Sequence, residues 1–241
     1  MKYLSYILLA LFFSTSNTDP IEKSFVMVQL FTSQGCSSCP PADKLIEEIK
    51  DEYQDQNVYI LSYHVDYWNR LGWKDPFSSK EFTQLQYDYA DQFRERNVYT
   101  PQIVINGKEH FIGSNESKLR KRIKTYLNKK PENTIQLSST KDTYGNILLN
   151  YEVTGDVINK KLKLAFVLEN STTKIKRGEN KNRTVTNTNI VLKEIVLDLD
   201  RDQKGSITIP NTSSEIKKDL TFISFIQNEK LQITGAAQFE L

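Results

Sequence analysis

Residues 28–49 read VQLFTSQGCSSCPPADKLIEEI and contain both cysteines of the 241-residue chain, Cys36 and Cys39, two residues apart. The stretch opens inside the continuous apolar run SFVMVQLFT (24–32), which suits a strand buried on both faces. It closes in ADKLIEEIKDEY (42–53), where Leu45, Ile46, Ile49 and Tyr53 fall on one helical face. A Cys-x-x-Cys pair there has three readings: a working dithiol, a metal clip or a structural bridge. The strand-to-helix context favours the first. A helix N-terminus offers unpaired N–H groups and a positive dipole end, both of which stabilise the reactive thiolate. Cys36 is expected there, exposed, as the nucleophile, and Cys39 one turn further in as the resolving thiol. Pro40 and Pro41 fit a first helical turn, where their missing N–H groups leave little unsatisfied.

Working outward, NVYILSYHV (57–65) predicts a second buried strand and KEFTQLQYDYADQFRER (80–96) a helix with Phe82, Leu85, Tyr89 and Phe93 in step. PQIVINGKEHFIG (101–113) places Asn106-Gly107 between two short β runs, the signal of a tight hairpin. SNESKLRKRIKTYLNK (114–129) predicts a helix capped by Ser114 or Asn115, with Leu119, Ile123 and Leu127 as its stripe. The order β-α-β-α-β-β-α is that of a minimal thioredoxin-like core. After Pro131 the pattern becomes short alternating runs split by turn residues, from TIQLSST (134–140) to LQITGAAQFEL (231–241). These predict an all-β, sandwich-like domain. The fold class is therefore α/β, a thioredoxin-like domain over 22–130 followed by a sandwich-like domain over 132–241.

Residues 1–18 have one lysine and an apolar run from Tyr6 to Phe13, followed by small polar residues. They read as a cleaved secretory signal, the run being too short to span a bilayer. A periplasmic or secreted location follows, where disulfides persist. With 32 basic and 30 acidic residues, the net charge of +2 gives no electrostatic case for nucleic acid or an anionic membrane.

The predicted β-α-β crossover makes the first two strands parallel, so Cys36 and the segment SYHVDYWNRLGWKDPFSS (62–79) leave the same sheet edge. An antiparallel third strand would begin there at Thr100-Pro101. The expected site therefore unites catalytic Cys36, Cys39 and Pro101; Pro101 reads either as an ordinary trans proline opening a strand or, as the likeness to thioredoxin-like proteins implies, as a cis proline facing the dithiol. Thr100, His64, Asp66, Trp68 and Trp73 are expected around the substrate. His64 has a proton-shuttle reading and a plainer one, a buried hydrogen bond. The run KIKRGENKNRTVTN (174–187) gathers Lys174, Lys176, Arg177, Lys181 and Arg183. It reads as a solvated loop or, alternatively, as one docking on the cleft or on an acidic partner.

LFTSQGCSSCPPAD (30–43), YHVDYWNRLGWKDPF (63–77), VYTPQIVING (98–107) and RGENKNRTVTNTNIV (177–191) together resemble a bacterial secreted family, the one defined by domain of unknown function 1223. Where similar sequences tend to read Gly-Glu-Asn-Arg-Gly-Arg-Thr, this chain has Lys181 and Asn182 in the middle. The resemblance implies a thioredoxin-like fold with an appended β domain and an exported location, without a settled activity.

The residues lead to a thiol–disulfide oxidoreductase that needs no bound cofactor or metal and acts on exported proteins with cysteines or disulfides. It would meet a membrane only through an upstream redox partner. A copper-binding site made of Cys36, Cys39 and His64 is a second expectation, since thiolates favour Cu(I). A binding module with a permanent bridge is a third.

Overall fold

The computed structural model describes residues 24–199, 203–210 and 220–240. The expected signal segment, 1–18, lies outside the described residues. The chain forms a mixed α/β structure in which strands dominate.

Strand β1 (Val26–Thr32) is central and buried on both faces, as its unbroken apolar run requires. Met27 and Phe31 point into one core layer, and Val26, Val28 and Leu30 into the opposite one. Helix α1 (Pro40–Glu52) packs Leu45, Ile46 and Ile49 onto the second layer, and β2 (Val58–His64) runs parallel to β1. Helix α2 (Lys80–Phe93) covers the first layer with Phe82 and Tyr89. The Ser79 hydroxyl caps it, accepting from the N–H groups of Glu81 and Phe82.

Strands β3 (Gln102–Ile105) and β4 (Glu109–Ile112) form the predicted hairpin. Asn106 and Gly107 both have positive φ, at 48° and 65°, as a two-residue turn of this hand demands. Helix α3 (Glu116–Tyr126), capped by Asn115, lies on the α1 side. The order over 26–126 is therefore β-α-β-α-β-β-α.

The rest is all strand: β5 (Thr134–Lys141), β6 (Ile147–Thr154), β7 (Lys160–Lys174), β8 (Thr184–Asp198), β9 (Lys204–Ile209), β10 (Leu220–Asn228) and β11 (Ile233–Glu240). The expected sandwich-like half does not form a sheet pair of its own. Four of these strands continue the first sheet, giving eight strands in the order β11-β10-β7-β8-β2-β1-β3-β4, while β5-β6-β9 form a second sheet.

The apolar faces explain the arrangement. Ala165, Val167, Val191, Ile223 and Phe225 extend the α2-side core layer. The opposite faces of β7 and β10, through Leu162, Leu164, Phe166, Phe222 and Ile226, pack on Ile147, Leu149, Val153, Ile207 and Ile209 of the second sheet. Among the described residues, only Ser62–Ile190 pair across the seam between β2 and β8, in parallel. Side chains reinforce it: Ser62 donates to the Thr188 carbonyl at 2.6 Å, and Asn189 to that of Ile60 at 3.3 Å. Deeper in, the Tyr89 hydroxyl donates to Gln29 of β1 and accepts from Gln227 of β10, tying the two halves through a buried network.

The basic run 174–187 is loop only in part. Strand β7 reaches Lys174 and β8 begins at Thr184, so the 15-residue strands leave only 175–183 as the turn. Threonines at 172, 173, 184 and 186 carry the hairpin outward, since β-branched residues suit a pleated surface without an apolar pattern.

Candidate functional site

At the C-terminal ends of β1 and β2 the chain builds a disulfide between Cys36 and Cys39. Cys39 is the N-cap of α1, with Pro40 and Pro41 as the first two helical residues. Thr100 comes to the same edge. Its carbonyl oxygen lies 3.9 Å from Cys36 Sγ and accepts from the Ser38 hydroxyl at 3.3 Å, and its own hydroxyl accepts from Trp68 Nε1 at 2.8 Å. The Thr100–Pro101 bond is cis. Pro101 packs tightly on the bare backbone of Gly113: a Cβ there would stand 2.9 Å from Pro101 Cβ and 3.2 Å from Ala42 Cβ.

Three expected placements change. Cys36 is fully buried rather than exposed, as is Cys39. His64 is fully buried rather than overhanging the thiols, with Nδ1 2.7 Å from Asp75 Oδ2. Asp66 turns to α2, where its N–H donates to Thr83 Oγ1 and its carboxylate accepts from that hydroxyl at 2.7 Å. Trp73 sits at the rim, its Nε1 donating to Gln34 Oε1 at 3.2 Å. Among the described residues no group of three or more His, Cys, Asp and Glu is arranged to hold a metal ion, so the Cys36-Cys39-His64 copper set is not assembled.

Gln34 is the node that sequence reasoning missed. Its N–H donates to Asp75 at 2.8 Å, and its side-chain amide donates to Thr173 and to Asn187 at 3.0 Å. Its carbonyl accepts from Asn180. Residues from β7, β8 and the turn between them therefore complete the dithiol loop.

A second missed residue is Asp43, four positions after Cys39. Cys39 has helical backbone angles, so Asp43 shares its face of α1, and a helical side chain leans back toward the N-terminus. Asp43 is buried and accepts from the Thr32 hydroxyl at 2.9 Å. An acid among the apolar positions of a helix is a signal the sequence does carry. Burial pushes its carboxyl up to about 7, against the charge of His64 and the Thr32 bond. Burial also acts on Asp75, but the charge and hydrogen bond of His64 and the N–H groups of Gln34 and Phe77 outweigh it and hold that carboxyl below its usual range.

The two acids make opposite contributions to stability. A raised folded pKa means that the Asp43 contribution is complete below the unfolded value of 3.8 and is lost as pH rises to about 7. Asp75, depressed, contributes above its unfolded value and loses its contribution as pH falls. Asp43→Asn is therefore expected to match wild type near pH 4 and to exceed it at pH 8 by roughly 2–4 kcal/mol, since each tenfold change in proton affinity is worth about 1.4 kcal/mol. Denaturant melts at pH 4, 6 and 8 check this; parallel pH dependences for the two proteins would refute it.

Comparisons with known proteins relate the chain to one family and to two proteins. The profile of a family described as Protein of unknown function (DUF1223) matches residues 27–227. A thioredoxin of Methanocaldococcus jannaschii is 31% identical over 91 residues, 38% of this chain and 82% of that protein. The crystal structure of protein AGR_C_4864 from Agrobacterium tumefaciens superposes with a TM-score of 0.69 at 27% identity, covering 90% of this chain and 95% of the other.

Proposed function

The chain belongs to the DUF1223 family, and from that premise we propose that it is an exported thiol–disulfide oxidoreductase on a thioredoxin-like core, with Cys36 and Cys39 as its working pair. One observation carries the reading: the disulfide sits at the N-terminus of α1 with the Thr100 carbonyl 3.9 Å from Cys36 Sγ. The stretch of likeness to a thioredoxin supports it. The proposed location rests on the reading of residues 1–18.

The chemistry is two successive exchanges. A client thiolate attacks Cys36 Sγ, the Cys36–Cys39 bond breaks, and Cys39 leaves as a thiolate with the electron pair. A second client thiolate attacks the client sulfur of the mixed disulfide and releases Cys36. The client dithiol loses two electrons and two protons and becomes a disulfide; the chain gains both and becomes a dithiol. Run backwards, the same steps reduce a client disulfide. Asp43 lies one helical turn from Cys39, and burial pushes its carboxyl up to about 7, which makes it the candidate partner for the proton that Cys39 gains or loses. Thr100 and the neighbouring Trp68 line the approach for the client chain.

Trapping tests this. Cys39→Ser lacks the resolving thiol and is expected to accumulate mixed disulfides with exported client proteins, separable on non-reducing gels and released by dithiothreitol. Cys36→Ser is expected to accumulate none. Equal absence of adducts from both variants would sink the proposal.

A second reading has its own support. Both sulfurs are fully buried, as in a permanent structural bridge. The binding-module alternative therefore stands or falls with the redox equilibrium of the pair.

A further inference from the structure

A turn from the other half of the chain bonds to the backbone on both sides of the Cys36 sulfur. The turn of the β7–β8 hairpin, residues 175–183, lies on the dithiol loop. Asn180, itself fully buried, donates from Nδ2 to the Cys36 carbonyl at 2.8 Å and to the Gln34 carbonyl at 3.0 Å. Glu179 accepts from the Ser37 N–H at 3.0 Å. That N–H belongs to the residue after Cys36, so the docked carboxylate occupies a donor beside the sulfur and sets a negative charge where a thiolate would form. Both effects work against reaction.

The turn is built to move as a unit. It closes on itself through Ile175 N–H to the Arg183 carbonyl, Asn182 N–H to the Ile175 carbonyl and Lys181 N–H to the Gly178 carbonyl. It is held on the site by the side-chain hydrogen bonds of Asn180 and Glu179, by the buried Ile175 and by the close approach of Gly178 to Trp73.

Its charge is one-sided. Lys174, Lys176, Arg177, Lys181 and Arg183 are all exposed, and Glu179, the acid of the turn, faces the dithiol. Among the described residues, no carboxylate pairs with Lys174, Lys176, Arg177 or Lys181. The chain as a whole is only +2, so this concentration of cations is local. Arg183 connects charge to closure: its Nη1 donates to Asn180 Oδ1 at 3.0 Å, which steadies the amide that clamps Cys36. A carboxylate that captured Arg183 would draw the guanidinium off Asn180.

Taking the oxidoreductase reading as its basis, we infer that residues 174–183 form a lid over Cys36–Cys39 and the docking surface for a redox partner with an acidic segment beside its reactive cysteines. The partner's carboxylates pair with the lid cations, and Arg183 passes that pairing to Asn180. The lid lifts, Ser37 N–H is freed, and the partner's sulfur reaches Cys36. A neutral or basic partner meets a closed site.

The test uses the oxidised full-length chain and three synthetic dithiol peptides with one shared cysteine pair, flanked by four aspartates, four serines or four lysines. At low salt the aspartate peptide is expected to reduce the disulfide at least about tenfold faster than the lysine peptide. The advantage should vanish near 1 M salt, where screening shortens to about 3 Å. Reversing Lys176, Arg177 and Lys181 to glutamate should invert the order. Asn180→Ala should raise the rate with dithiothreitol by about tenfold, the factor that corresponds to one ordinary buried hydrogen bond. Glu179→Gln, at an exposed position, checks the same point with little risk to folding.

Equal rates for the three peptides, with wild-type dithiothreitol rates in both lid variants, would overturn the lid and leave the redox reading intact. Failure of every peptide to exchange, in wild type and lid variants alike, would overturn both.

Discussion

Gly107→Ala is expected to destabilise the protein by roughly 2–5 kcal/mol, the sum of a left-handed backbone penalty and forced overpacking. Gly107 sits at φ 65° in the β3–β4 turn, and that turn is pressed against the link between β10 and β11. An added Cβ would fall 1.9 Å from the Leu231 carbonyl oxygen and 2.9 Å from Gln232 Cα, both backbone atoms with no side-chain freedom to yield. The same contact is held by Asn106, whose carbonyl accepts from the Ile233 N–H at 2.9 Å and whose side chain accepts from the Met27 N–H at 2.6 Å. The substitution therefore pushes the two halves of the chain apart. Gly72→Ala is the control: φ is 98° there, with nothing within 4 Å of the added atom, so only the backbone penalty of about 1–2 kcal/mol applies. Urea melts of the three proteins check the ordering. Equal losses for both substitutions would mean that the two halves do not press together at this turn.

That contact bears on what could be read from the residues alone. Local chemistry was legible. Asn106-Gly107 announced a hairpin, Ser79 and Asn115 cap their helices, and Pro40-Pro41 open α1 as its first turn. The alternating runs after Pro131 became strands β5 to β11.

The joining of the halves was not legible, because it rests on one register pair, Ser62–Ile190, and on complementary apolar faces distant in sequence. Period-2 alternation states that a strand has a buried face, not which surface buries it. The outer ends of β7 and β8 were also hidden, since their Thr, Ser and Asn residues show no apolar alternation.

At the site, topology alone brought Cys36, Thr100 and Trp68 together. It left open whether the 174–187 run stays in solvent or docks on the cleft, because the bonds of Asn180 and Glu179 to the backbone of Cys36 and Ser37 depend on the length and twist of a hairpin in the other half. His64 took the plainer of its two readings, a buried hydrogen bond.

The central claim is that Cys36–Cys39 exchanges electrons with other proteins rather than bracing a loop. The largest functional contrast between these readings is the redox equilibrium of the pair. A structural disulfide sits below about −300 mV, whereas working dithiols span about −120 to −270 mV; about 30 mV corresponds to 1.4 kcal/mol. The lid changes access and therefore rate, so equilibration must be followed to completion. The decisive measurement incubates the full-length chain in graded glutathione buffers, then alkylates free thiols and counts them by mass. A working pair gives a reversible two-electron transition within the range of such dithiols, reached from both the oxidised and the reduced protein. A midpoint below about −300 mV would contradict the claim and make the pair a permanent bridge.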